Sequence, residues 1–254
     1  MTVQGQDDVD GILSAGAIVA KVRDAMLAAV EPGMTTLELD QLGEALLERL
    51  GARSAPRQMY DFPGATCISV NEEAAHGIPG DRVIQAGDVV NIDVSAEFNG
   101  YYADTGATTV VPPTTEIKTR LCHATRLALK QAIAQARVGN RINRIGKAVQ
   151  KAAKSHGFKT INNLAGHGVG RSLHEEPTDI VSYFDRKDSR VFKRGQVVAI
   201  EPFLSTKSTF VTEADDGWTL VGDANNLSAQ FEHTVIITDA APIIATLPRA
   251  SAQI

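Results

Sequence analysis

The residues with the most chemical potential in this chain are carboxylates set among apolar neighbours. Asp93 lies in VVNIDV, Glu201 in VVAIEPF and Glu232 in SAQFEHTVII, while Asp104 closes the stretch NIDVSAEFNGYYAD. Burying an acidic group in such surroundings is costly unless it is hydrogen-bonded, paired or bound to a cation. Four held close together without a cation would push each other's pKa values up. No Lys or Arg occurs between Arg82 and Lys118, so Asp93 and Asp104 have no local counter-charge. A carboxylate-rich set with one imidazole and no thiolate suits Mn, Fe or Co, or Zn in a mixed site.

Six histidines could supply the imidazole. LAGHGVGRSLHEEP holds His167 between two glycines and His174 before a Glu-Glu pair, and His76 sits in the similar loop AAHGIPG. Glycines on both sides suit a chain folded tightly around an ion or ligand, and equally an imidazole packed in a turn. His123 and His156 fall in helical patterns and read as surface residues. His233 follows Glu232 in a strand pattern and so points to the opposite face.

The elements that must position these groups start with a hairpin. Asn99-Gly100 between two strand-like runs is a strong two-residue turn signal. With that turn Phe98 faces Tyr101, Glu97 faces Tyr102 and Ser95 faces Asp104. Asp93 then shares a face with Ser95 and is the diagonal neighbour of Asp104, at roughly 7–8 Å, close enough to grip a common cation. The opposite face carries Ile92, Val94, Ala96, Phe98, Tyr101 and Ala103, a core-facing set. Taken alone, the same hairpin also suits a surface position with its polar face in water.

Around it, Asp10 can cap a helix to about Val30 with Ile12, Ala15, Val19, Val22, Met26 and Val30 inward. Thr35 or Thr36 can cap a second helix through Arg49, with Leu39, Leu42, Leu46 and Leu50 inward. Ala65–Val70 and Val89–Val94 read as strands. Thr114 or Thr115 opens a further helix, and another runs to Ser155. A shift of 106 positions places Gly33 on Gly139 and Gly51 on Gly157, and one of 108 places Asp93 on Glu201. The helix, glycine, helix, glycine, strand order thus recurs, and residues 1–254 read as one domain with similar halves, about 8–112 and 113–246. Later, Val197–Glu201 and Ser228–Thr238 read as strands, and the tail from Leu247 as frayed.

Net charge near −5 leaves no basic footprint for nucleic acid. Cys67 and Cys122 are too few for a disulfide framework or a thiolate metal site, which fits the reducing cytoplasm. The polar, acidic start MTVQGQDDVDG is not a secretory signal. No apolar run reaches spanning length, so no membrane role is expected.

The segments CISVNEEAAHGIP, VVNIDV, GYYADTG, LAGHGVGRSLHEEP, VAIEPF, DDGWT and SAQFEHT together resemble type I methionine aminopeptidases, in order and spacing, from Asp8 to about Thr246. The resemblance implies an α+β pita-bread fold, with antiparallel sheet covered by helices in two pseudo-symmetric halves. It implies two divalent ions (Co, Mn, Fe or Zn) on Asp93, Asp104, His167, Glu201 and Glu232, with Asp104 and Glu232 bridging. A metal-bridging water or hydroxide would attack the first peptide bond. Glu201 would shuttle the proton, His174 would stabilise the tetrahedral intermediate, and His76 would bond the substrate's peptide nitrogen. Met59, Phe62, Cys67, Leu173 and Trp218 would line the methionine side-chain pocket, with a core role for Trp218 left open. Asn71, Glu73 and Ser228 match a monovalent-cation site for Na or K.

Some positions depart from the commonest family pattern: Met59 for an aromatic, Leu173 for Phe, Ala75 for Cys and Gly106 for Ser or Ala. No long insertion separates Glu201 from Glu232, unlike the type II form. The expected partners are N-terminal Met peptides and nascent chains. Without an N-terminal zinc-binding or proline-rich extension, any ribosome docking would use the catalytic domain. A cytoplasmic monomer is expected.

Overall fold

The first helix, α1 (Gln6–Ala29), opens the computed structural model, which describes residues 1–248. It begins four residues before the expected cap at Asp10, with Asp7 and Asp8 in its first turn, where carboxylates favour the helix dipole. Ile12, Ala15, Val19, Val22 and Met26 form the buried stripe, as spaced in the sequence. Helix α2 (Thr36–Arg49) starts on a capping box: the Thr35 hydroxyl accepts the Glu38 N–H, and the Glu38 carboxylate accepts the Thr35 N–H. Leu39 and Leu47 are its buried leucines, while Leu42, Leu46 and Leu50 are half-buried.

Strand β1 (Arg53–Ser54), helix α3 (Ala55–Tyr60), β2 (Cys67–Val70) and β3 (Glu73–Ala75) lead to the hairpin β4 (Val89–Phe98) and β5 (Tyr101–Val110). The hairpin pairs ten residues on each side, Val89 with Val110 through Phe98 with Tyr101, without a register shift. Asn99 and Gly100 have φ of 51° and 81°. Two left-handed residues make the primed turn whose twist matches the strands. On the other edge of β4, Cys67 pairs with Asp93 and Arg53 with Glu97. Ile92, Val94, Ala96 and Ala103 pack with α1 and α2 residues into one core cluster.

Helices α4 (Glu116–Ile133) and α5 (Asn143–Ser155) follow, then β6 (Lys159–Thr160), β7 (Ala165–Gly168), β8 (Glu175–Val181), β9 (Val197–Ile200) and β10 (Phe203–Ser205). The remaining strands are β11 (Thr212–Glu213), β12 (Leu220–Val221), β13 (Ser228–Gln230), β14 (His233–Ile236) and β15 (Ile243–Ile244). An antiparallel sheet of order β15-β14-β9-β7-β8 carries the second half, and β12 pairs with β3 of the first. A second core cluster joins α4, α5, β9, β13 and β14. The expectation of a frayed tail from Leu247 falls mostly on 249–254, outside the described residues.

The single strand expected over 228–238 is two strands in different sheets, β13 on β10 and β14 on β9. Glu232 occupies the step between them, because its backbone bonds to β5 instead. Its N–H donates to Gly106 O at 2.9 Å, and the Thr105 hydroxyl donates to its carbonyl at 2.9 Å. Two more threonines extend this seam. The Thr108 hydroxyl accepts the Gln230 N–H (3.0 Å) and donates to its carbonyl (2.8 Å). The Thr234 hydroxyl does the same for Asp104, at 2.9 and 2.8 Å. Three side chains thus replace a missing β-ladder where the two halves meet.

Candidate metal centre and substrate cleft

The seam floors a cavity of about 490 Å³ whose walls include Asp93, Asp104, His167 and Glu201. Asp93 pairs with Gly106 and Asp104 with Ser95, the diagonal offset the Asn-Gly turn dictates. His167 comes from β7, Glu201 follows β9, and Glu232 sits in the step after β13. Asp104, His167 and Glu232, all buried, each offer a ligand atom within 4.8 Å of the others. The His167 Nε2 lies 3.4 Å from Glu201 Oε1 and 3.7 Å from Asp104 Oδ2. Asp93 stands outside this tight trio and is linked to it through Gln230, whose Nε2 donates to Asp93 Oδ2 (3.3 Å) and Glu232 Oε2 (3.0 Å).

Burial, with neighbouring carboxylates adding to it, raises Asp104, Glu201 and Glu232 well above the usual carboxylate range. Burial raises Asp93 too. No Lys or Arg lines the cavity among the described residues. Asp104 Oδ1 and Glu232 Oε1 are buried without any hydrogen-bond donor. His167 is held down to about 3, by burial first and then by His174, so its ring is neutral. Its Nδ1 faces Gly168 O at 2.9 Å and must carry the proton there. The bare Nε2 lone pair therefore faces carboxyl oxygens, and a bound cation would let these groups ionise and share it with the imidazole. Two orphaned oxygens and an oxygen-rich donor set with one imidazole fit divalent ions of the Mn, Fe, Co or Zn kind.

The proposed catalytic histidines line the same cleft. The His174 ring stands 4.1 Å, centroid to centroid, from that of His167. Its Nδ1 is 2.6 Å from the Tyr60 hydroxyl. Burial, then Asp104, raises Tyr60, which stays a phenol; burial, then His76, lowers His174, which stays neutral. When the phenol donates to Nδ1, His174 offers its N–H at Nε2. Its loop is pinned where Arg171 and Ser172 N–H groups donate to Glu175 Oε1, at 2.6 and 2.8 Å. His76 follows β3 with φ of 55°, an uncommon conformation for a residue with a side chain, and burial lowers its pKa.

Phe62, Cys67, Leu173 and Trp218 line the cleft, with Phe62 and Trp218 edge-to-face at 5.2 Å. The β12–β3 pairing carries Trp218 to the wall beside His76. Cys67 is pushed well up, by burial and then Asp93, so it stays a thiol and serves as wall. Met59 is a correction. It lies outside the lining, 39% exposed, with its sulfur accepting from the Tyr102 hydroxyl. Tyr60, one position later in the short helix α3, takes the place at the cleft.

Asn71 and Ser228 meet at the seam, where the Ser228 N–H donates to Asn71 O at 3.1 Å. The Glu73 carboxylate is engaged by Val70 N and Arg82 instead. His233 points away from the cleft toward Thr246. Sequence reasoning missed Tyr60, Gln230 and the seam threonines. Tyr60 alone carried a signal, as the aromatic beside a flagged position.

Residues 10–239 match the family model described as Metallopeptidase family M24. The chain is 48% identical over 247 residues to Methionine aminopeptidase 2 of Bacillus subtilis (strain 168), covering 97% of this chain and 99% of that protein. The crystal structure of methionine aminopeptidase from Thermotoga maritima superposes with a TM-score of 0.92 at 33% identity, over 97% of this chain and 99% of that one. Prolidase from Pyrococcus furiosus is similar in fold alone, with a TM-score of 0.78 at 24% identity over 98% of this chain and 66% of that one.

Proposed function

Since the chain belongs to metallopeptidase family M24 and has the pita-bread fold, we propose the following division of labour for its metal-dependent removal of N-terminal methionine from peptides and nascent proteins. The observation that carries it is the buried cluster of Asp104, His167 and Glu232, whose orphaned oxygens and bare imidazole nitrogen lack only a cation. Asp93, Asp104, His167, Glu201 and Glu232 would hold two divalent ions. When bound, such ions acidify water and polarise the scissile carbonyl.

The chain's own residues do the rest. Glu201, raised in pKa by burial and then Asp93, is suited to accept a proton at its carboxylate and return it to the leaving amine. His174 donates its Nε2 proton to the carbonyl oxygen as negative charge grows there. His76 contacts the nitrogen of the scissile bond from the β3 wall. Phe62, Trp218, Leu173 and Cys67 enclose an unbranched, polarisable side chain, which methionine fits. The free α-amino group falls beside the carboxylate cluster, which limits cleavage to one residue.

The main-chain oxygens of Asn71, Glu73 and Ser228 are proposed to take one Na or K ion. The recurrent left-handed glycines, Gly33 with Gly139 and Gly51 with Gly157, support a single catalytic domain over 1–254 with halves about 8–112 and 113–246. Among the described residues no helix is long and apolar enough to cross a membrane. A cytoplasmic monomer that meets nascent chains, with the ribosome as a further partner, is the setting proposed. A panel of X-Ala-Ser peptides, assayed with Mn, Co, Fe and Zn in parallel, should give highest turnover for X = Met. Preference for Leu or Pro at that position would overturn the substrate assignment.

A further inference from the structure

Behind the carboxylates, Gln230 is fully buried and Asn91 is 5% exposed. The Gln230 Nε2 lies 3.3 Å from Asp93 Oδ2 and 3.0 Å from Glu232 Oε2. Asn91 Nδ2 donates to Gln230 Oε1 at 2.9 Å. Once ionised on metal the carboxylates only accept, so the amide faces them with its N–H groups, and Asn91 secures its oxygen. We propose that Gln230 is a positioning residue that sets Asp93 and Glu232 for metal binding. The inference rests on the metal-centre reading above.

A neutral amide is the right instrument for this task. It orients two carboxylates from opposite halves of the molecule while leaving their charges to the ions. A Lys or Arg in its place would neutralise them and compete with the metal. Each carboxylate has about four acceptor positions, so one bond to the amide leaves both oxygens able to bind cations. Gly106 is the cross-strand partner of Asp93. A Cβ there would stand 2.0 Å from Gln230 Oε1, 2.5 Å from Nε2 and 2.6 Å from Cδ. Gln230 cannot swing aside while keeping its bonds, since its backbone is held by Thr108 and its amide by Asn91. The amide thus packs directly on Gly106 and is held there on both sides.

The test is calorimetric titration of the chelated protein with Mn²⁺ alone, beside thermal melting of the ion-free form. Q230M keeps the volume and removes the donors, while N91L removes the donor that secures the amide oxygen. Groups that orient metal ligands are worth roughly 10- to 100-fold in affinity. Both variants should weaken Mn²⁺ binding by about that factor, with ion-free melting close to wild type. The double variant should lose no more than the larger single loss, because both act on one device. Wild-type Mn²⁺ affinity in Q230M, or in N91L should Q230M not fold, would overturn the proposal, as would fully additive losses. Failure of the wild-type protein itself to bind Mn²⁺ would instead overturn the metal-centre reading.

Discussion

Replacing His174 with Ala tests the division of labour most sharply among single substitutions. With the Tyr60 hydroxyl, 2.6 Å from Nδ1, donating there, the nitrogen at stake is Nε2, which keeps the proton. One donor aimed at developing negative charge is worth about 10²–10³ in kcat. His174 is solvent-accessible at the cleft, so water can partly replace it and the lower figure, about 10², is expected. Against the uncharged carbonyl of bound substrate the same bond is worth only about 0.5–1.5 kcal/mol, so KM should change less than about tenfold. Tyr60→Phe removes the group that selects the tautomer but leaves the donor, and should cost only about 2- to 10-fold, well short of the full donor loss. Initial rates of methionine release from Met-Ala-Ser over a range of peptide concentrations separate the two constants. A rise in KM at unchanged kcat would refute the role, and so would Tyr60→Phe losing as much as His174→Ala.

Two further outcomes follow from the cluster and the pocket. In the ion-free protein Asp104, Glu201 and Glu232 keep protons that the unfolded chain has released, because burial and mutual repulsion raise them. The folded state then binds more protons, so its stability should fall as pH rises beyond the range where the depressed His167 and His233 contribute. Melting curves at saturating Mn²⁺ should lose that trend, and a flat profile without metal would contradict the clustering. Phe62→Ala should lower kcat/KM for Met-Ala-Ser by roughly tenfold or more, from lost contact with the methionine side chain. Unchanged kcat/KM would remove Phe62 from the pocket.

Much of the site was legible because short-range rules governed it. Asn99-Gly100 set the hairpin register, and the register set the offset of Asp93 and Asp104. The capping box at Thr35 and the stripe of α1 were local in the same way. What stayed hidden depends on partners far along the chain. The strand at 228–238 looks continuous by β-propensity, yet it breaks at Glu232 because Thr105 and Gly106 claim its backbone. Gln230 reads as a polar residue in a strand until Asn91, 139 positions away, fixes its amide. Met59 and Tyr60 differ by one step of a six-residue helix, and only the packing of α3 decides which of them reaches the cleft.

The account stands on a bound cation completing the cluster around Asp104, His167 and Glu232. The direct test is free methionine released from Met-Ala-Ser by protein dialysed against a strong chelator, before and after Mn²⁺ or Co²⁺ is restored. Release should disappear on dialysis and return with the ion. Release that continues undiminished in the dialysed protein would contradict the account.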